Sequence, residues 1–200
     1  RYTREAATST ASVSSGLLER GEYADLEYLA GQLRDKKLTF PDGDWLLPVF
    51  YRATAGAAGP DRDPASWERT RERLVKWLEE VPGSAAAQIA EAKRLVGYAW
   101  EARGSGAASE VKPEAWPVFN ERIEAARVTL NKAPRTCPEW FHQRIVVARA
   151  QGDDLASQQA LFEAAWKAFP DYLPTVQAMV FNLLPRWCGQ TGQWQRLARW

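Results

Sequence analysis

Two cysteines, one histidine and one methionine are all the soft or imidazole ligands that 200 residues supply. A structural zinc site takes about four ligands, and Cys137, Cys188 and His142 stand in no recognised ligand spacing. No metal and no cofactor is therefore expected, and reduced, partly buried thiols fit a cytoplasmic setting better than a periplasmic one. No apolar run approaches about 18 residues, so the sequence holds no membrane-spanning helix. Charge of one sign is missing too. Lys and Arg number 26 against 25 Asp and Glu, a net charge of +1. That balance creates no long-range field to gather DNA or RNA, and no nucleic-acid partner is expected.

Catalytic motifs are equally scarce. Gly104-Ser105-Gly106 lacks the preceding strand and following lysine of a phosphate loop. His142 is read as a partly packed helix histidine rather than a general base, because no Ser or Cys stands in a recognisable frame beside it. Asp42, Asp44, Asp61 and Asp63 do not fill the frame of a calcium loop and read as helix caps. Glu79, Glu80 and Glu101 read as a solvated face. No catalytic residue is assigned, and an enzyme is the lesser expectation.

What the chain does have is punctuation: 12 prolines, 13 glycines and 10 tryptophans. Apolar segments of helical period run into Pro41, Pro82, Pro134 and Pro170. Between them stand Gly21, Gly59, Gly104, Gly152 and Gly189, each placed as a helix end. Aligned on the prolines, the positions eight before are Leu33, Leu74, Ala126 and Phe162; four before are Lys37, Leu78, Leu130 and Trp166. Lys37 alone breaks the apolar register, with Leu38 expected to take its place. Asp63-Pro64, Ser84 and Asp153 or Asp154 read as helix starts. The small face of Ala92, Val96 and Ala99 predicts two closely approaching helices. The last full helix is expected over Tyr172–Trp187, and no segment alternates like a strand.

The expected fold is all-α: an α-hairpin solenoid of about four helix pairs. Residues 1–15, rich in Ser, Thr and Ala, read as a flexible lead-in. Residues 16–200 read as a single helical-repeat domain, left open where Gln193–Trp200 begins a further helix. The proline-terminated helices resemble the second helix of a tetratricopeptide repeat. Phe162, Ala165 and Pro170 match that pattern, whereas Gln158 stands where a small residue belongs and the first-helix signature is missing.

Two stretches carry a second resemblance: Tyr98–Val111 (YAWEARGSGAASEV) with Trp116 and Phe119, and Leu183–Gly189 (LLPRWCG). With Asp42–Leu46 and the LVKWLEEVPGS segment, they resemble an uncharacterised bacterial family of tetratricopeptide-like helical domains, over about residues 17–195. The resemblance implies a bacterial origin and the fold, and supplies no reaction. It also implies glycine at the place of Cys188, which argues against an essential thiol there.

Both stretches set tryptophan and arginine beside a glycine at a helix end: Trp100, Arg103 and Gly104, then Arg186, Trp187 and Gly189. Such arginines complement the helix dipole and cover exposed carbonyls. They also present forks that bind a carboxylate or phosphate bidentately between aromatic walls. Trp100, Arg103, Arg186 and Trp187 are the candidate binding residues. The expected function is non-enzymatic binding of another protein or peptide, as an adaptor or immunity-type protein. The alternative is an enzyme or small-anion binder using the 105–117 loop with Arg103 and Arg186.

Overall fold

The computed structural model describes residues 2–56, 63–104, 106, 108–185, 187 and 189–197, the side chains of residues 2 and 3 excepted. Three of the four prolines stop helices as expected. Helices α4 (Pro64–Glu80), α6 (Ala115–Lys132) and α8 (Leu155–Ala168) each give way to one cap residue, Val81, Ala133 or Phe169. Pro82, Pro134 or Pro170 follows at once. A residue before proline is pushed out of the helical region, and the caps show it, with ψ of 75°, 141° and 68°.

Pro41 does not work this way. Helix α2 (Tyr23–Asp35) ends earlier, on Lys37 at φ 48°. The Lys37 and Leu38 amides donate to the Arg34 and Leu33 carbonyls, both at 3.3 Å. This is a Schellman closure built on a lysine. Lys37 thus lies outside the helix, and Leu38 does not replace it in the core, being 39% exposed. Pro41 belongs to a tight turn clamped by the Thr39–Trp45 bridge and by the Phe40 amide on the Asp44 carbonyl at 2.7 Å. Asp42 shapes that turn by accepting from the Asp44 amide. Asp42 and Asp44 are therefore turn residues, not helix caps. Asp61 lies outside the described residues.

Gly21, Gly104 and Gly152 close α1 (Tyr2–Arg20), α5 (Ala85–Arg103) and α7 (Pro138–Gln151), all at positive φ. Gly59 lies outside the described residues; α3 (Leu47–Thr54) closes at Gly56 instead. Gly56 has φ +66°, and a Cβ there would stand 2.6 Å from Thr70 Oγ1, so a bare backbone is needed twice over. Helix α9 (Leu173–Asn182) ends five residues before the expected Trp187, three short of Pro185. Asp63, Ser84 and Asp154 cap α4, α5 and α8, accepting from Ser66, Ala87 and Ser157 amides. The polar stretch over 1–15 is helical from Tyr2 onward. Its Ser14 and Ser15 hydroxyls donate back to Thr10 and Ala11 carbonyls, and Ser14 is fully buried.

The sequence reads as one domain from residue 16; the chain groups into two compact units, Arg1–Pro134 and Arg135–Trp200. In the first, α1 packs on α3, α3 on α5, and α5 most extensively on α6. Ala86, Ala90, Ile89, Val96 and Ala99 are buried on α5, as are Phe119, Ile123, Ala126 and Leu130 on α6. Small side chains permit that close approach. Gly97 does the same for α4, since a Cβ there would meet the Trp67 ring at 2.9 Å. Trp67 stacks on Tyr98 with 5.4 Å between centroids and donates to Glu101 at 2.6 Å, so Glu101 is more than a solvated face. Leu74 and Trp77 are fully buried beside it. Truncating such a leucine to alanine costs about 2–5 kcal/mol.

In the second unit, α7 packs on α8 and α9. Ile145, Phe162, Met179 and Leu183 form its core, against which Trp194 and Leu197 of the short α10 (Gln193–Leu197) pack. Among the described residues no strand occurs. The fold is all-α.

Candidate functional site

Helix α5 delivers Trp100 and Arg103 in its last turn, and Gly104 at φ 79° breaks the helix so that the chain can turn back. A 3₁₀ turn, Ala108–Glu110, and a turn closed by the Ala115 amide on the Lys112 carbonyl lead into α6. Trp116 thus enters the first turn of α6, opposite the last turn of α5. Phe119, one turn on, meets the Trp100 ring edge-on at 5.0 Å and the Trp116 ring at 5.9 Å. Further along the same pair, Arg122 donates to the Tyr98 carbonyl at 2.7 Å and covers that ring.

Arg103 sits within this frame. Its Cζ lies 5.2 Å from the Trp100 centroid and 5.2 Å from that of Trp116. Its Nη1 donates to the carbonyls of Gly104 at 3.2 Å and Gly106 at 3.1 Å. The guanidinium is a planar fork of five N–H donors. Among the described residues, all its hydrogen bonds leave from Nη1, and the Nε–Nη2 edge makes none. That edge is the one a carboxylate occupies bidentately. Arg103, Trp100 and Trp116 are all half-exposed.

The second expected pair is described only in part. Arg186 and Cys188 lie outside the described residues. Trp187 packs on Phe181 at 5.8 Å, and the arginine over both rings is Arg149, at 5.4 and 4.7 Å. Arg149 donates to Asn182 Oδ1 at 2.8 Å, Asn182 donates to Gln158 at 2.6 Å, and Gln158 donates to the Asp153 carbonyl at 2.7 Å. Gln158 and Asn182 are fully buried. This explains Gln158 at a place where a helical repeat carries a small residue: it links α8 to α9.

His142 stands 3.2 Å from the Oε2 of Glu139, which is fully buried. Gln143 donates to the other Glu139 oxygen at 2.8 Å, and the buried Tyr172 hydroxyl donates to Oε2. The Tyr172 oxygen that could complete a reactive set is thus committed to the carboxylate and shielded from solvent. The cluster ties α7 to the start of α9. Cys137, at the N-cap of α7, is buried. Among the described residues no three His, Cys, Asp or Glu side chains gather as metal ligands.

Of the four residues singled out by sequence, Trp100 and Arg103 come together, Trp187 meets Arg149, and Arg186 lies outside the described residues. Trp116 and Arg149 were missed as partners. Trp116 had a signal, its place within the motif that carries the family resemblance, whereas Arg149 had only its position near a helix end. No protein-family model, curated protein or solved structure matches the chain.

Proposed function

We propose that the chain is a protein-binding helical domain, an adaptor that receives an acidic side chain or C-terminal carboxylate of its partner on Arg103. The observation that carries this is the arginine's state before any partner arrives. Two indoles and two carbonyls hold it, and among the described residues its bidentate edge donates to no partner. A fork already ordered loses less side-chain freedom on binding, and Trp and Arg are the residue types that dominate interface energies. The contacts of α1 with α3, α2 with α3, α3 with α5 and α4 with α5 support stacked hairpins, the architecture that presents such surfaces. The same edge also suits a small anion held against the 105–117 loop, a reading favoured by the Gly106 carbonyl on Arg103.

Peptide display against the whole chain tests the proposal. Enriched peptides should carry Asp, Glu or a free C-terminal carboxylate, and Arg103→Gln should weaken them by about tenfold or more. Enrichment of neutral peptides, or capture that survives Arg103→Glu, rejects it. Binding of free acetate or phosphate as tight as that of the peptides favours the small-anion reading.

A further inference from the structure

The first unit also holds a cleft that shares no residue with the surroundings of Arg103. Helix α1, the end of α3 and α4 enclose a cleft of about 630 Å³, within the usual size range for small-molecule pockets. Its lining is unusual for a helical core: Thr8, Ser12 and Ser15 from α1, Ser66 and Thr70 from α4, with Glu19, Arg69 and Arg73.

The hydroxyls fix the chemistry. Ser15 donates to the Ala11 carbonyl at 3.0 Å, Ser66 to Asp63 at 2.8 Å, and Thr70 to Ser66 at 3.0 Å. With their protons committed to the backbone, these oxygens meet a ligand as acceptors. Gly56 lines the same cleft beside Thr70, where any side chain would stand against the hydroxyl.

Cationic donors come from Arg69 and Arg73, one helical turn apart on α4. Their carboxylate neighbours are loose: Asp63 at 3.8 Å from Arg69 and Glu19 at 3.5 Å from Arg73. The two arginine side chains are 58% and 37% exposed, so these pairs are screened and easily exchanged for a ligand anion. A fitting ligand must give protons to three oxygens and carry a negative charge that Arg69 and Arg73, both in the lining, can meet. Inorganic phosphate satisfies only the second demand and a neutral sugar only the first.

We propose that this cleft binds a small polyhydroxylated anion. Arg69 and Arg73 hold its phosphate or carboxylate, and Ser15, Ser66 and Thr70 accept from its hydroxyls. The inference stands apart from the Arg103 reading, and Arg103→Gln separates the two, because it should leave this binding unchanged.

Calorimetric titration of the whole chain is the test. Glucose 6-phosphate and ribose 5-phosphate form the phosphate arm; gluconate and glucuronate form the carboxylate arm. At least one of the four should bind about tenfold tighter than inorganic phosphate and about tenfold tighter than glucose. Arg69→Gln with Arg73→Gln should remove that binding while the helical circular dichroism stays intact. Thr70→Val, which keeps the side-chain shape, should weaken it several-fold. Failure of all four to bind at millimolar concentration overturns the proposal. So does phosphate alone binding as tightly, or undiminished binding to the double-arginine variant.

Discussion

Arg103 and Arg149 face the same aromatic surroundings and use them oppositely. Each lies over two rings, Trp100 and Trp116 in one unit, Phe181 and Trp187 in the other. Arg149 sends its Nη1 inward, to Asn182 and through it to Gln158 and the Asp153 carbonyl. Arg103 attaches to its own loop by one nitrogen, and among the described residues its Nε and Nη2 donate to no partner. Stacking on tryptophan therefore says nothing by itself about function. What distinguishes the two is where the N–H groups go: into a buried amide chain that joins helices, or onto two loop carbonyls that merely steady the fork.

The largest effect should come from cutting the inward chain. Asn182→Leu removes the acceptor of Arg149 and the donor to Gln158, and should cost about 2–4 kcal/mol in denaturant unfolding, since buried polar partners are left unmade. An unchanged midpoint would mean the amide chain does not hold the second unit together. Next comes the direct contrast. Arg149→Met should lower stability by about 2 kcal/mol, and Arg103→Met by less than about 1 kcal/mol while abolishing capture of acidic peptides. Equal stability losses would erase the distinction.

A smaller effect is expected from Trp116→Ala. Losing one wall of the Arg103 sandwich should cost about 1 kcal/mol or less and weaken acidic-peptide binding several-fold, with the remaining affinity dependent on Arg103. Binding that ignores the indole would show that the loop carbonyls alone position the fork.

The smallest effect concerns pH. The Ser157 amide and hydroxyl hold the Asp154 carboxyl below its usual range. A depressed carboxyl contributes stability that is present above the ordinary value of 3.8 and is lost as pH falls through the lowered one. Amide exchange in the first turn of α8 should accelerate over that acid range beyond the intrinsic trend, and Asp154→Asn should flatten the extra slope. A slope that survives Asp154→Asn would assign it to another carboxyl.

Much of this was legible from the chain because local chemistry decided it. Asp63-Pro64, Ser84 and Asp154 start helices by accepting from nearby amides, and Pro82, Pro134 and Pro170 end them by steric exclusion of the preceding residue. Those effects act within four residues. One proline had another use. Pro41 belongs to a turn closed by Thr39 and Trp45, and the stop falls to Lys37, whose left-handed backbone carries no sequence mark.

The candidate site was half legible. Trp100 and Arg103 are three residues apart on one helix, so they share a face by geometry alone. Trp116 and Arg149 reach their partners through helix pairing, which spacing does not encode. The cleft between α1, α3 and α4 was hidden for a related reason: Thr8, Ser12 and Ser15 read as part of a flexible lead-in, and helical packing had to be known before they met Ser66 and Thr70 of α4.

Each unit encloses at least one indole sealed from water: Trp67 and Trp77 in the first, Trp140 in the second, none more than 1% exposed. Shielded indoles emit toward shorter wavelengths and are poorly reached by aqueous quenchers. The partly exposed Trp100 and Trp116, together with Trp166 of α8, should emit to the red and answer to iodide or acrylamide. The protein therefore carries its own optical label. A ligand arriving at Arg103 would change the quenchable red component, while the blue component would report only whether the helices remain assembled.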